Sequence, residues 1–131
     1  MAKYVYPAIF KKDGTGYSIF FPDLESCYTQ GDNLEDGLEM AEDVLALVLF
    51  QYEREGKTIP TPSELKSIPT ENDDFVSLVM CDTMEYRKMH SNKAVKKTLT
   101  IPEWLNETAT EQGINFSQVL QEALLSKIKT L

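Results

Sequence analysis

Four carboxylates, Asp23, Glu25, Asp32 and Asp36, crowd into one short stretch of the chain. Clustered acids can hold divalent metals for phosphodiester hydrolysis, so that chemistry is the first to weigh. The spacing does not carry it. Asp32 and Asp36 bracket Asn33 in "DNLEDG", where a capping side chain and nearby acids suit the positive end of a helix dipole. Asp23 and Glu25 share the loop "PDLES", with no second acidic cluster on neighbouring strands. Their simpler task is to meet a cationic surface or stay solvated, and no enzymatic activity is expected. His90 is the only histidine, so neither a two-histidine metal site nor a catalytic triad can be assembled within one chain. Cys27 and Cys81 lack CxxC spacing and read as ordinary half-buried thiols. No cofactor or metal is expected.

The second constellation is basic. In "VKKTLTIPEWL" the alternation sends Leu99 and Ile101 to one side and Lys96, Thr98 and Thr100 to the other. Lys and Thr on one face of a ribbon can hydrogen-bond DNA base edges. Lys97 shares parity with Leu99 and reaches sideways toward a phosphate. Asn115 and Ser117 are capping residues first, and the amides they sit among can also hold a phosphate. Charge divides the chain in the same place. Residues 1–90 hold 8 Lys/Arg against 17 Asp/Glu, whereas residues 91–131 hold 5 against 4. An acidic module attracts basic proteins and repels nucleic acid, while a near-neutral one with clustered lysines can approach a phosphate backbone.

The elements that must position these residues follow from periodicity. Residues 3–12 alternate, with Tyr4, Tyr6, Ala8 and Phe10 on one face, and read as a strand, at an edge because Pro7 cannot donate to a ladder. "KDGTG" has hairpin composition, "YSIFF" returns as a second strand, and "CYTQG" is a short third. A helix capped by Asn33 and ended by Gly56 should bury Leu34, Leu38, Ala41, Leu45, Val48 and Tyr52 against the sheet. Extra apolar residues in its C-terminal half, Val44, Leu47, Leu49 and Phe50, imply a second contact, with another element or another subunit. Residues 57–74 read as an irregular connection, "FVSLVMCD" as a strand parallel to an earlier one, and "TMEYRKMH" as a short helix capped by Asp82 or Thr83.

In the tail, Pro102 marks the start of a helix that Gly113 ends, with Leu105 and Ala109 inward. A second helix carries Phe116, Val119, Leu120, Ala123, Leu124 and Ile128 as its stripe. Strand, helix, helix is no self-sufficient unit, because the strand leaves both edges open. Two copies paired across a two-fold axis make an antiparallel ribbon over four helices, of a width that fits the DNA major groove. Trp104 is assigned to packing in that dimer.

"KKTLTIP", Gly113 and "NFSQVL" resemble the ribbon-helix-helix DNA-binding fold over residues 93–129. Residues 4–49, with aromatic-Pro-Ala, a Gly-Tyr hairpin, "FPDL", "C.TQG" and a capped acidic helix start, are similar to the HicB antitoxin family. Many members have Pro-Gly before the cysteine, where this chain has Glu25-Ser26. The resemblance implies an α+β fold: a β-β-β-α-β, partial ribonuclease H-like domain over 1–90, then a dimeric ribbon-helix-helix domain over 91–131. It also implies a partner, a small basic ribonuclease toxin of the HicA type, met by Asp23, Glu25 and Tyr28 on the acidic module. Operator DNA would be met by Lys96, Lys97, Thr98, Thr100, Asn115 and Ser117, giving autorepression. Two other readings are a ribbon-helix-helix repressor whose N-terminal domain senses a small molecule, and a degenerate nuclease. No apolar run approaches the roughly 20 residues of a membrane span, and no secretory signal is seen, so a cytoplasmic homodimer is expected.

Overall fold

The computed structural model of the chain describes residues 3–129. It divides into two compact units, Met1–Lys93 and Ala94–Leu131. The N-terminal unit holds β1 (Lys3–Asp13), β2 (Gly16–Phe20), β3 (Tyr28–Gly31), α1 (Leu34–Glu55), β4 (Phe75–Asp82) and α2 (Thr83–His90). The C-terminal unit holds α3 (Glu103–Glu111) and α4 (Phe116–Lys129).

The sheet runs β3-β2-β1-β4 and every paired neighbour is antiparallel. Two expectations fail here. β1 is an interior strand, not an edge: Pro7 is tolerated because the ladder with β2 begins only at Ile9, leaving Pro7 opposite Leu78 of β4 with no β2 partner on its other side. β4 does not pair parallel to an earlier strand; Lys3 faces Asp82 and Phe10 faces Phe75. The reason lies in residues 57–74. α1 begins near Phe10, with Gly37 under its ring, and ends near Tyr4, whose hydroxyl reaches Glu53. The connection then carries the chain back along the sheet, so β4 enters at the Phe10 end. Its course is pinned by the Tyr6 hydroxyl donating to the Pro60 carbonyl and by Ser63 donating to Asp23.

Tyr6, Ala8 and Phe10 of β1, Ile19 and Phe21, and Val79 and Cys81 of β4 form the sheet side of the core, closed by Ala41, Leu45 and Leu49 of α1. Burying this set supplies the main drive for folding, at about 25 cal/mol per Å² of apolar surface. Phe10 stacks on Phe75 at 5.0 Å, with Tyr17 edge-on to both. The far side of the sheet leaves Val5, Leu78 and Met80 exposed.

α1 is capped as its sequence requires: Asn33 Oδ1 accepts from the Asp36 amide, Asp36 Oδ2 accepts from the Asp32 amide, and Gly56 ends the helix in a left-handed conformation. Its expected stripe holds at Ala41 and Leu45, with Val48 and Tyr52 packed against the core, and fails in the first turns. Gly37, Ala41, Leu45 and Leu49 face the sheet, while Leu34 and Leu38 are exposed. A Cβ at Gly31 would lie 2.4 Å from Gly37 Cα, so β3 and the first turn of α1 meet backbone to backbone. That approach turns the bulky leucines aside. The second contact expected of α1 is α2: Phe50 lies 5.4 Å from Tyr86, and Arg54 and Arg87 stack over the Phe50 ring.

Candidate functional site

Asp23, Glu25 and Tyr28 lie on the turn from β2 into β3. Asp23 is half-buried and takes both Ser63 donors, the amide at 2.9 Å and the hydroxyl. It therefore anchors the 57–74 connection, and only Glu25 and Tyr28, the latter 69% exposed, are presented outward. Ser26 adopts φ 54, the left-handed region that glycine occupies without cost. The turn thus keeps a glycine-like geometry although a serine stands there.

Beside β3 is a surface trough of about 400 Å³, walled by α1 and α2. Thr29, Met40, Asp43, Leu47 and Met89 line it, with Tyr86 and His90 stacked at 4.1 Å at one end. The sequence reading missed this site. The available signal was Met40 and Leu47, two apolar residues off the buried stripe of a helix whose other surplus, Ala46 and Phe50, is covered. The walls are held firmly. Glu53, with a side chain only 17% exposed, accepts from the Tyr4 hydroxyl at 2.7 Å and the Thr83 hydroxyl at 2.9 Å, and pairs with Arg87 at 3.2 Å. One carboxylate so ties β1, α1 and α2. Burial, then the hydrogen bond to Glu53, pushes the Tyr4 hydroxyl up to about 12. Burial likewise pushes the Cys27 and Cys81 thiols up to about 12, which leaves both as unreactive thiols at neutral pH. They are more deeply buried than the half-buried thiols the sequence suggests.

Residues 92–102, which lead into the C-terminal unit, form neither helix nor ladder. The expected strand at Lys96–Ile101 is therefore not a strand within one chain, since a ladder needs a partner segment and the described residues of one copy offer none. The alternation itself survives. Lys97, Leu99 and Ile101 line a groove of about 470 Å³ with Phe116 and Val119 of α4, whereas Lys96, Thr98 and Thr100 are exposed and outside it. Asn115 Oδ1 accepts from the Gln118 amide and caps α4; Ser117 lines the groove. Past the end of α3, Gly113 turns the chain (φ 69), with the Ile114 amide returning to the Ala109 carbonyl. The apolar stripe is not satisfied: among the described residues of this unit Ala109 alone is buried, and Leu99, Trp104, Phe116, Leu124 and Ile128 are all exposed.

Among the described residues no three His, Cys, Asp or Glu are grouped to hold a metal ion, and no helix is long and apolar enough to cross a membrane.

The family described as a HicB-like antitoxin of bacterial toxin–antitoxin systems matches residues 6–124. Antitoxin HicB 2 of Photorhabdus laumondii is 41% identical over 58 residues, which is 44% of this chain and 42% of that protein. The match thus spans under half of that curated relative. A chain of a toxin–antitoxin complex from Streptococcus pneumoniae superposes with a TM-score of 0.63 at 31% identity, covering 95% of this chain and 99% of that one. The crystal structure of antitoxin HicB3 gives a TM-score of 0.51 at 28% identity, covering 95% and 98%.

Proposed function

Because this chain belongs to the HicB-like antitoxin family of bacterial toxin–antitoxin systems, we propose that it neutralises a small basic HicA-type mRNA ribonuclease through its N-terminal unit and represses its own operon through its tail. The tail works as a two-fold ribbon-helix-helix dimer in the cytoplasm. One observation carries the dimer: a unit with a single buried residue among those described and a stripe of exposed leucine, isoleucine and aromatic side chains is half of a core. A second copy is the partner that covers the stripe and pairs residues 96–101. Its outer face then carries Lys96, Thr98 and Thr100 twice, with Lys97, Asn115 and Ser117 set toward the phosphates.

The toxin is met by the acidic unit, with Glu25 and Tyr28 on its surface and Asp23 anchoring the 57–74 connection to the same turn. Charge complementarity speeds the encounter and buried apolar contacts set the dissociation rate. Inhibition is steric masking of the toxin's RNA-binding face. The test is co-expression with the adjacent reading frame. A basic product that arrests growth alone, is tolerated with this chain and co-purifies with it supports the reading; an empty pull-down with no rescue of growth removes it. A gel shift of upstream DNA by the full chain tests repression in the same preparation.

A further inference from the structure

The trough beside β3 has features that a merely solvated surface does not need. Met40, Leu47 and Met89 are all exposed, Met89 at 74%, yet they line one concavity together with Asp43. Leaving these apolar side chains in water forgoes the stabilisation their burial would give. Methionine is also the side chain best able to remould itself around an incoming group. The charge is equally pointed. The cations on α2 are already engaged, Arg87 by Glu53 and Lys88 by Glu85, whereas Asp43 pairs with no cation among the described residues. It lies in a unit where acids outnumber bases by 17 to 8 over residues 1–90. The walls do not have to be assembled on binding, because Gly31 against Gly37 fixes β3 to α1 and Glu53 fixes α1 to α2.

We propose that this trough is the grip on the toxin: its occupant is a cationic element whose Lys or Arg stem, or neighbouring apolar side chain, lies over Met40, Leu47 and Met89 with the positive end against Asp43. The inference rests on the antitoxin reading and adds to Glu25 and Tyr28 a surface that the sequence pattern did not reveal.

The experiment uses the full chain and the basic protein encoded beside it. Asp43→Lys and Leu47→Arg should each weaken toxin binding at least about tenfold by calorimetry. Leu78→Arg, on the opposite face of the sheet, should leave it unchanged. All three should keep the wild-type operator gel shift and circular dichroism. A second variant does not depend on affinity. With Cys27 and Cys81 buried, Met89→Cys carries the one accessible thiol, and a maleimide reagent should label it rapidly in the free protein and at least about tenfold more slowly in the complex. Toxin binding by wild type together with undiminished labelling of Met89→Cys, or undiminished affinity of both charge variants, overturns the trough and leaves the antitoxin reading standing. Failure of the wild-type chain to bind at all overturns the antitoxin reading, and the trough with it.

Discussion

Replacing Gly31 by alanine should damage the N-terminal unit far more than the same replacement six positions later. At Gly31 the new Cβ would sit 2.4 Å from Gly37 Cα and 2.5 Å from Gly37 N. Ordinary contact lies beyond about 3.4 Å, so strand and helix must part by roughly 1 Å, and main chain on both sides leaves no flexible side chain to yield. Overpacking of this kind costs about 3 kcal/mol or more, at the upper end for core insertions. At Gly37 the added Cβ meets Ile19 Cδ1 at 3.1 Å and Phe10 Cε2 at 3.5 Å, both ends of side chains. That mild crowding is offset by the roughly 1 kcal/mol that alanine gains over glycine in a helix, and the net change should stay within about 1 kcal/mol. The chain provides its own probes, since all six tyrosines lie in the N-terminal unit and the single tryptophan, Trp104, lies in the tail. For a unit of this size each kcal/mol moves Tm by about 4–8 °C, so the tyrosine near-ultraviolet transition should fall by roughly 12–24 °C in Gly31→Ala. It should move by less than about 8 °C in Gly37→Ala, with the Trp104 signal unchanged in both. Equal melting of Gly31→Ala and wild type would show that β3 and α1 do not approach backbone to backbone.

Ser26→Gly should stabilise the N-terminal unit by about 0.5–1 kcal/mol, read by urea titration, because relief of a left-handed serine at φ 54 exceeds the entropy glycine adds to the unfolded chain. The same unit should be labile to alkali: Tyr4, Cys27 and Cys81 have ordinary values of 10.0, 9.0 and 9.0 and folded values of about 12. Protonation of these groups is favoured by folding, so their contribution is complete below about pH 9 and is lost as pH rises toward 12. Tyr4→Phe should shallow that loss in pH-dependent urea melts. On operator DNA, Thr98→Ala and Thr100→Ala should relax sequence preference. Lys96→Ala should weaken all sites alike and reduce the salt slope by about one, measured by fluorescence anisotropy; three unchanged binding profiles would exclude this face.

Helix ends were the most legible part of the molecule, because a cap is a local device: Asn33, Gly56, Asp82 and Gly113 all stand where the chain turns. Strand existence was nearly as clear in the N-terminal unit, since alternation survives any pairing. Pairing direction was not, because residues 57–74 carry no mark of which end of the sheet they reach. Pro7 misled for a related reason, as a strand can be interior along one half of its length and open along the other. The outward turn of Leu34 and Leu38 was hidden because its determinant at Gly31 and Gly37 is the absence of side chains, which an apolar count scores as nothing. Asp23 looked like a free surface acid because its partner, Ser63, lies forty residues away.

The mass of the full chain in solution tests the account most directly. Sedimentation equilibrium should give twice the 14.9 kDa chain mass, and Phe116→Glu, in the exposed stripe of the tail, should sediment as the single chain and lose the operator shift. A wild-type chain that stays at 14.9 kDa up to about 100 μM would contradict the paired tail and the repressor built on it.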